Sequence, residues 1–321
     1  MISEEALRWP GKRYHSLNYY LQAEFGQKVY KIALDGGFTC PNRDGSKGTG
    51  GCYFCSPQGS GDFTPDSAIS IAEQLIEGQK LVKHKAGDKY IAYFQAYTGT
   101  YAPVARLREL YFSTLKQPGV VGLAIATRPD CLGPDIIELL QEINSRTSLW
   151  LELGLQTIHK RTARYLNMQY DFDDFLLALE NLRQVNIKTC THLILGLPGE
   201  TENDMLSTAQ TVVKLPIHGL KIHSLYIVKG TRLGQLYWDS PFKMLSLEEY
   251  VDLVVDILEI TPPEIVMHRL TGDGTRTSLI APLWSLDKHR ILNYIESELK
   301  QRNTWQGKLC KTLDKGRNHI L

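Results

Sequence analysis

Cys40, Cys52 and Cys55 lie close together in the stretch Cys40-Pro-Asn-Arg-Asp-Gly-Ser-Lys-Gly-Thr-Gly-Gly-Cys52-Tyr-Phe-Cys55. Clustered thiols in a chain with few other cysteines point to metal binding or catalysis, not to a disulfide framework. A tetrahedral centre takes four ligands, so one built on three thiolates keeps a position open, and open positions are where metal chemistry occurs. Gly45, Gly48, Gly50 and Gly51 let backbone approach a bulky inorganic centre, and backbone N–H groups there can donate to its sulfur atoms. A structural zinc site is the alternative. It needs a fourth ligand, and no neighbouring Cys or His offers the usual paired spacing. Unligated thiols are the third reading. Cys131, Cys190 and Cys310 stand alone in the sequence. Cys190 reads as a buried strand residue, because free cysteine is among the most buried residue types.

An apolar run, Val29–Leu34, leads directly into the cysteine loop. Further strand-like runs at 90–94, 120–126, 149–155, 189–195 and 220–227 alternate with amphipathic stretches at 68–83, 104–116, 135–143, 158–166, 171–184 and 203–214. Alternating β and α units give a parallel sheet covered by helices. Six units do not complete an eight-stranded barrel. The expectation is therefore an α/β fold, a partial, open (β/α)6 TIM-like barrel over residues 28–228. An N-terminal arm (1–27), with Tyr14, Tyr19 and Tyr20, packs on it, and a C-terminal extension (229–321) follows. The extension carries helical patterns at 245–260 and 286–299 and a short strand at 265–270. Ser246 reads as the N-cap of the first of these helices.

In such folds the active site lies at the C-terminal ends of the strands. Those ends carry Gln95-Ala-Tyr-Thr98, Thr127-Arg128-Pro129-Asp130, Gly154-Leu155-Gln156-Thr157 and Gly196-Leu197-Pro198-Gly199-Glu200. Glu152 alternates with apolar neighbours and so faces the barrel interior, as a site residue or in a structural ion pair. His192 and His223 read as packed core or rim residues. The run His268-Arg269-Leu-Thr-Gly-Asp273 lines a substrate mouth or forms a buried polar network.

Composition sets bounds. Hydrophobic residues make up 43% of the 321 and charged residues 22%, as in a soluble globular protein. No apolar run reaches the ~20 residues that span a bilayer, and the N-terminus lacks a signal-peptide core. A cytoplasmic location with no membrane partner is the default expectation. A net charge of +1 argues against a protein that grips nucleic acid over its whole surface. Residues 287–321 nevertheless hold eight Lys/Arg against four Asp/Glu. That excess reads as an ordinary solvated face or as a phosphate-contacting tail.

The cysteine loop and its flanks, a strand followed by Cys-x11-Cys-x-Phe-Cys and then β/α units, resemble the radical S-adenosylmethionine (SAM) enzymes. Asp35-Gly-Gly-Phe-Thr-Cys-Pro-Asn-Arg-Asp-Gly with Gly50-Gly51-Cys52 is similar to the branch of the elongator catalytic subunit, and above all to the small bacterial YhcC/YtqA-like proteins. The resemblance implies a radical SAM barrel in which Cys40, Cys52 and Cys55 hold three irons of a [4Fe–4S] cluster. SAM then takes the fourth iron through its amino and carboxylate groups. Tyr53 and Phe54 precede the last cysteine, and Phe54 matches an aromatic that packs near the adenine. Gln95 and Thr98 sit where relatives contact the SAM amino group through a Gly-Gly-Glu segment, although this chain has no acid there. The Arg128 segment looks like the Thr-Arg-Pro-Asp run of the elongator subunit, with Ala126 where that protein has a glutamate. The Gln156 segment is similar to a Gly-Val-Gln-Ser segment, and the Gly196 turn to one that faces adenine and ribose. Glu152 joins these as a candidate cofactor-binding residue. Where relatives often read Asn-Arg-x-His, this chain reads Asn167-Met168-Gln169-Tyr170. The carboxylate contact of that arginine passes to Arg128, Arg161 or Arg164.

The activity implied is one-electron cleavage of SAM to methionine and a 5′-deoxyadenosyl radical, which takes a hydrogen atom from substrate. The electron comes from a donor such as flavodoxin or ferredoxin. The branch further implies a tRNA substrate, with the C5 side chain of a wobble uridine cut from carboxymethylaminomethyl to aminomethyl. The competing readings are a radical SAM enzyme for a small metabolite and a non-catalytic module that binds a cluster or zinc.

Overall fold

The computed structural model describes residues 8–59, 61, 64–82, 87–272 and 274–310. Its strands are apolar on the face that meets helices, and helices cover them at each crossover. In chain order the elements are α1 (Leu17–Phe25), β1 (Val29–Leu34), α2 (Ile71–Val82), β2 (Lys89–Phe94), α3 (Val104–Leu115), β3 (Val120–Thr127) and α4 (Pro134–Asn144). There follow β4 (Ser148–Gln156), α5 (Lys160–Tyr165), α6 (Phe172–Gln184), β5 (Lys188–Leu195), α7 (Glu202–Val212) and β6 (Gly219–Ser224). The remainder comprises β7 (Ile227–Val228), α8 (Arg232–Asp239), α9 (Leu247–Ile260), β8 (Val266–Leu270), β9 (Leu279–Ala281), a short 3-10 turn and α10 (Lys288–Gln301).

Seven parallel strands form one open sheet in the order β1-β2-β3-β4-β5-β6-β8. The six expected β/α steps are present, and β8 adds a seventh strand beside β6. The half-barrel sheet therefore runs past residue 228, into the segment expected as extension. The expected strand over 220–227 is broken. Leu225 still donates its N–H to the Leu195 carbonyl at 2.8 Å, after which the chain leaves the sheet. Ile227 and Val228 instead pair antiparallel with β9. The sequence reading also passed over α8, a short helix capped by the Thr231 side chain on the Gly234 N–H.

Outward side chains such as Ile32, Phe94, Leu123, Leu151 and Ile222 pack beneath the helices in the main core. Inward side chains at the N-terminal ends form a second, smaller cluster: Val29, Ile91, Ala124, Trp150, Cys190 and Val266. Helix α1 touches both β1 and β8 and places Leu21 in this cluster. Tyr20 meets Trp150 edge-on at 5.5 Å. The arm thus plugs the N-terminal end of the half-barrel. Helices α9 and α10 pack together outside it. Ser246 caps α9 in a reciprocal box with Glu249, as its position predicts. Among the described residues no helix is long and apolar enough to cross a membrane.

Candidate functional site

Above the apolar plug the inward positions change character. Two residues on from Val29, Ile91, Trp150, Cys190 and Val266 stand Lys31, Tyr93, Glu152, His192 and His268, with Lys221 from β6. A strand turns every second side chain to the same face, so these six form one layer. Glu152 is fully buried at its centre. Its Oε2 accepts from Tyr93 Oη, His192 Nε2 and Lys221 Nζ, each at 2.8 Å. Its Oε1 accepts from Lys31, which also donates to His268 Nδ1 at 3.2 Å. Lys221 donates to Tyr93 Oη at 2.7 Å as well. Burial opposes the Glu152 charge, but the Lys221 and Lys31 ammonium groups outweigh it and hold the carboxyl well below its ordinary 4.5. Burial pulls Lys221 down to about 8 against the pull of Glu152. The imidazoles are neutral. Burial and the nearby lysine charge push His192 down to about 4 and His268 to about 3.

Two residues further on, β1 and β4 carry only Ala33 and Gly154, and Ala126 of β3 stands in register with Glu152. Their size leaves a cavity of about 650 Å³ between the polar layer and the cysteine loop. A Cβ on Gly154 would stand 2.8 Å from Gln156 Nε2. Gln156 itself takes a positive φ of 70° where β4 slips its register against β5.

Cys40, Cys52 and Cys55 all open onto this cavity. The Asn42 amide braces the loop, donating to the Asn167 carbonyl at 2.5 Å and towards Cys52 Sγ at 3.7 Å. Arg128 Nη1 points at Cys40 Sγ at 3.8 Å. The same guanidinium grips Asp130 through two bonds of 2.9 and 2.8 Å and lies over the Tyr170 ring. Gly51 has a φ of +75°, and a Cβ there would meet Arg43 Nε at 2.9 Å. Burial, with the Cys55 thiol next, pushes Cys52 up to about 12. Among the described residues no three ligands are already converged on a metal position. The donor set nonetheless fits a cationic inorganic centre. Three thiols share one cavity, N–H donors aim at two of them, and an incoming metal cation would favour the thiolate form that burial disfavours at Cys52.

Phe54, Gln95, Thr98, Arg128, Glu152 and Gln156 line the same cavity as the cysteines. The Thr98 hydroxyl is buried in its wall without a hydrogen-bond partner. Tyr53 and Gly196 are not among the lining residues. Tyr53 is held by its backbone, to the Leu166 carbonyl and from the Leu233 N–H. Gly196, at φ +90°, faces Leu245 and Leu225 and donates to Met205 Sδ at 3.0 Å. Of the three candidate arginines, only Arg128 reaches the cavity. Arg164 is exposed, and Arg161 is exposed and bound to Asp204 at 2.7 Å. His192 and His223 line the cavity, and His268 belongs both to its wall and to the buried network. Asp273 lies outside the described residues. The sequence reading missed Lys31, Tyr93 and Lys221. Their signal was a polar residue in phase with Glu152 inside apolar strands.

The radical SAM superfamily model matches residues 43–212, and the radical SAM C-terminal domain model matches 217–301. The chain is 48% identical over 304 residues to YtqA of Bacillus subtilis, covering 94% of each protein. It is 27% identical over 180 residues to the tRNA uridine(34) acetyltransferase of Dehalococcoides mccartyi, covering 55% of this chain and 39% of that one. Among solved structures, archaeal Elp3 from Methanocaldococcus infernus shares the fold with a TM-score of 0.61 and 16% identity, over 84% of this chain and 63% of that one. The matched models, the extended likeness to YtqA and the three thiols at the mouth of a parallel half-barrel agree: this chain belongs to the radical SAM superfamily, whose enzymes use S-adenosylmethionine and a [4Fe–4S] cluster.

Proposed function

We propose that the chain is a tRNA-modifying radical SAM enzyme acting on the C5 side chain of the wobble uridine, cutting carboxymethylaminomethyl back to aminomethyl. The observation that carries the enzymatic part is the continuity of one cavity from the three cysteine thiols down to the buried lysine–glutamate layer. Cys40, Cys52 and Cys55 are the residues to hold the cluster, and Phe54, Gln95, Thr98, Arg128 and Gln156 face the space beside it. When bound, the cluster and S-adenosylmethionine supply one-electron chemistry that removes a hydrogen atom from substrate. The chain supplies the enclosure. Its apolar plug and α1 keep water from entering at the N-terminal end. Arg128, fixed by Asp130 and Tyr170, offers a rigid cation beside the thiols.

The likeness to a tRNA uridine(34) acetyltransferase supports the choice of substrate. The basic stretch after residue 287 contributes less free charge than its count suggests, because Asp252, Asp256 and Glu298 all bind Arg302. A flavodoxin- or ferredoxin-type donor and a cytoplasmic setting complete the reading. The test is a gene deletion followed by mass spectrometry of tRNA nucleosides. The expected result is accumulation of carboxymethylaminomethyluridine at the wobble position with loss of aminomethyl derivatives. An unchanged profile would refute the tRNA assignment and favour a small anionic metabolite, which the positive charge inside the cavity also suits.

A further inference from the structure

The polar layer is more than a structural ion pair. Lys31 and Lys221 bring two positive charges to one carboxylate, Glu152. Tyr93 and the imidazoles of His192 and His268 are neutral. Positive charge buried without a counter-ion is costly, and such a site favours an incoming anion.

The geometry leaves donors for that anion. An ammonium group has three N–H bonds. Lys31 spends two on Glu152 and His268, and Lys221 spends two on Tyr93 and Glu152. Each keeps one. Both lysines line the cavity, as do the small residues Ala33, Ala126 and Gly154. Glu152 fixes both amines, so little side-chain entropy remains to be lost when an anion docks.

We propose that Lys31 and Lys221, held by Glu152, form the seat for a carboxylate of the substrate. The assignment rests on the tRNA reading above and deepens it. On a wobble nucleotide the phosphates stay with the strand at the cavity mouth. The C5 substituent is the part able to reach the deep layer, and its terminal carboxylate is the anion it carries. The seat therefore distinguishes the carboxymethylaminomethyl group, which bears a carboxylate, from aminomethyl, which does not. A product that lacks the anion leaves readily.

The test is calorimetric binding to anaerobically prepared protein, with the nucleosides 5-carboxymethylaminomethyluridine and 5-aminomethyluridine as probes. Wild type is expected to prefer the first by roughly tenfold or more, the scale of one charge-assisted contact in a desolvated site. Lys31→Met, which leaves Glu152 paired with Lys221, is expected to bind the two about equally. Lys31→Arg, which retains the charge, is expected to restore much of the preference. Equal binding of the two probes by wild type would overturn the seat, as would full preference in Lys31→Met. If Lys31→Met does not fold, the wild-type comparison still decides. The two readings also fail separately. A changed wobble profile in the deletion strain with no probe preference removes the seat alone. A Lys31-dependent preference with an unchanged profile keeps the seat and removes the tRNA assignment.

Discussion

His192 and His268 sit in the layer that surrounds Glu152, and each is held neutral. In the unfolded chain both protonate near 6.5, whereas in the folded chain they resist protonation down to about 4 and about 3. The unfolded state thus binds more protons below 6.5. The stability this contributes is present above that value and is lost as pH falls. Glu152, depressed well below 4.5, adds a loss of the same sign at lower pH. Urea unfolding at pH 7.5 and 5.5 checks this. These two histidines should lower stability at the acid value by roughly 2 kcal/mol. A flat or rising stability over that interval would contradict neutral buried imidazoles. At this scale the sequence was partly legible. Cys40, Cys52, Cys55 and Arg128 announced themselves by type and context. Lys31 and Lys221 did not, because a lysine inside an apolar strand reads as solvent-facing until the strand's neighbours show that both of its faces are covered.

Between elements, the half-barrel depends on α1. This helix spans the gap between the edge strands β1 and β8, and Leu21, 2% exposed, fills the space under Trp150. Leu21→Ala should cost roughly 2–5 kcal/mol, the range for a buried leucine whose cavity cannot collapse. It should also open the floor beneath the polar layer. Denaturant unfolding measures the first effect, and a loss below about 0.5 kcal/mol would show that α1 does not seal the barrel. The core β/α elements were legible because apolar runs and 3.6-residue periodicity mark them. Helix boundaries moved by only a few residues, as at 135–143 against Pro134–Asn144. Two features escaped. The partner of β8 could not be read, because five residues of strand do not state which edge they join. The break after Ser224 was hidden because Leu225, Ile227 and Val228 are as buried as a continuous strand would be.

At the scale of the whole molecule, the chain is a parallel half-barrel with a sealed lower end, a charged middle layer and a sulfur-lined mouth. One cavity joins the last two. Sequence alone indicated the mouth and the barrel, because both are written in local patterns. The middle layer is assembled from five strands, β1, β2, β4, β5 and β6, together with β8, and exists only after folding. We assign to the three thiols at the mouth a redox cluster that supplies the electron for S-adenosylmethionine cleavage. Anaerobic reconstitution with iron and sulfide, followed by dithionite and S-adenosylmethionine, tests it most directly. The expected result is about four irons per chain and release of 5′-deoxyadenosine, both lost in Cys52→Ala. Protein that takes up no iron–sulfur chromophore, or a Cys52→Ala variant that still releases 5′-deoxyadenosine, would contradict it.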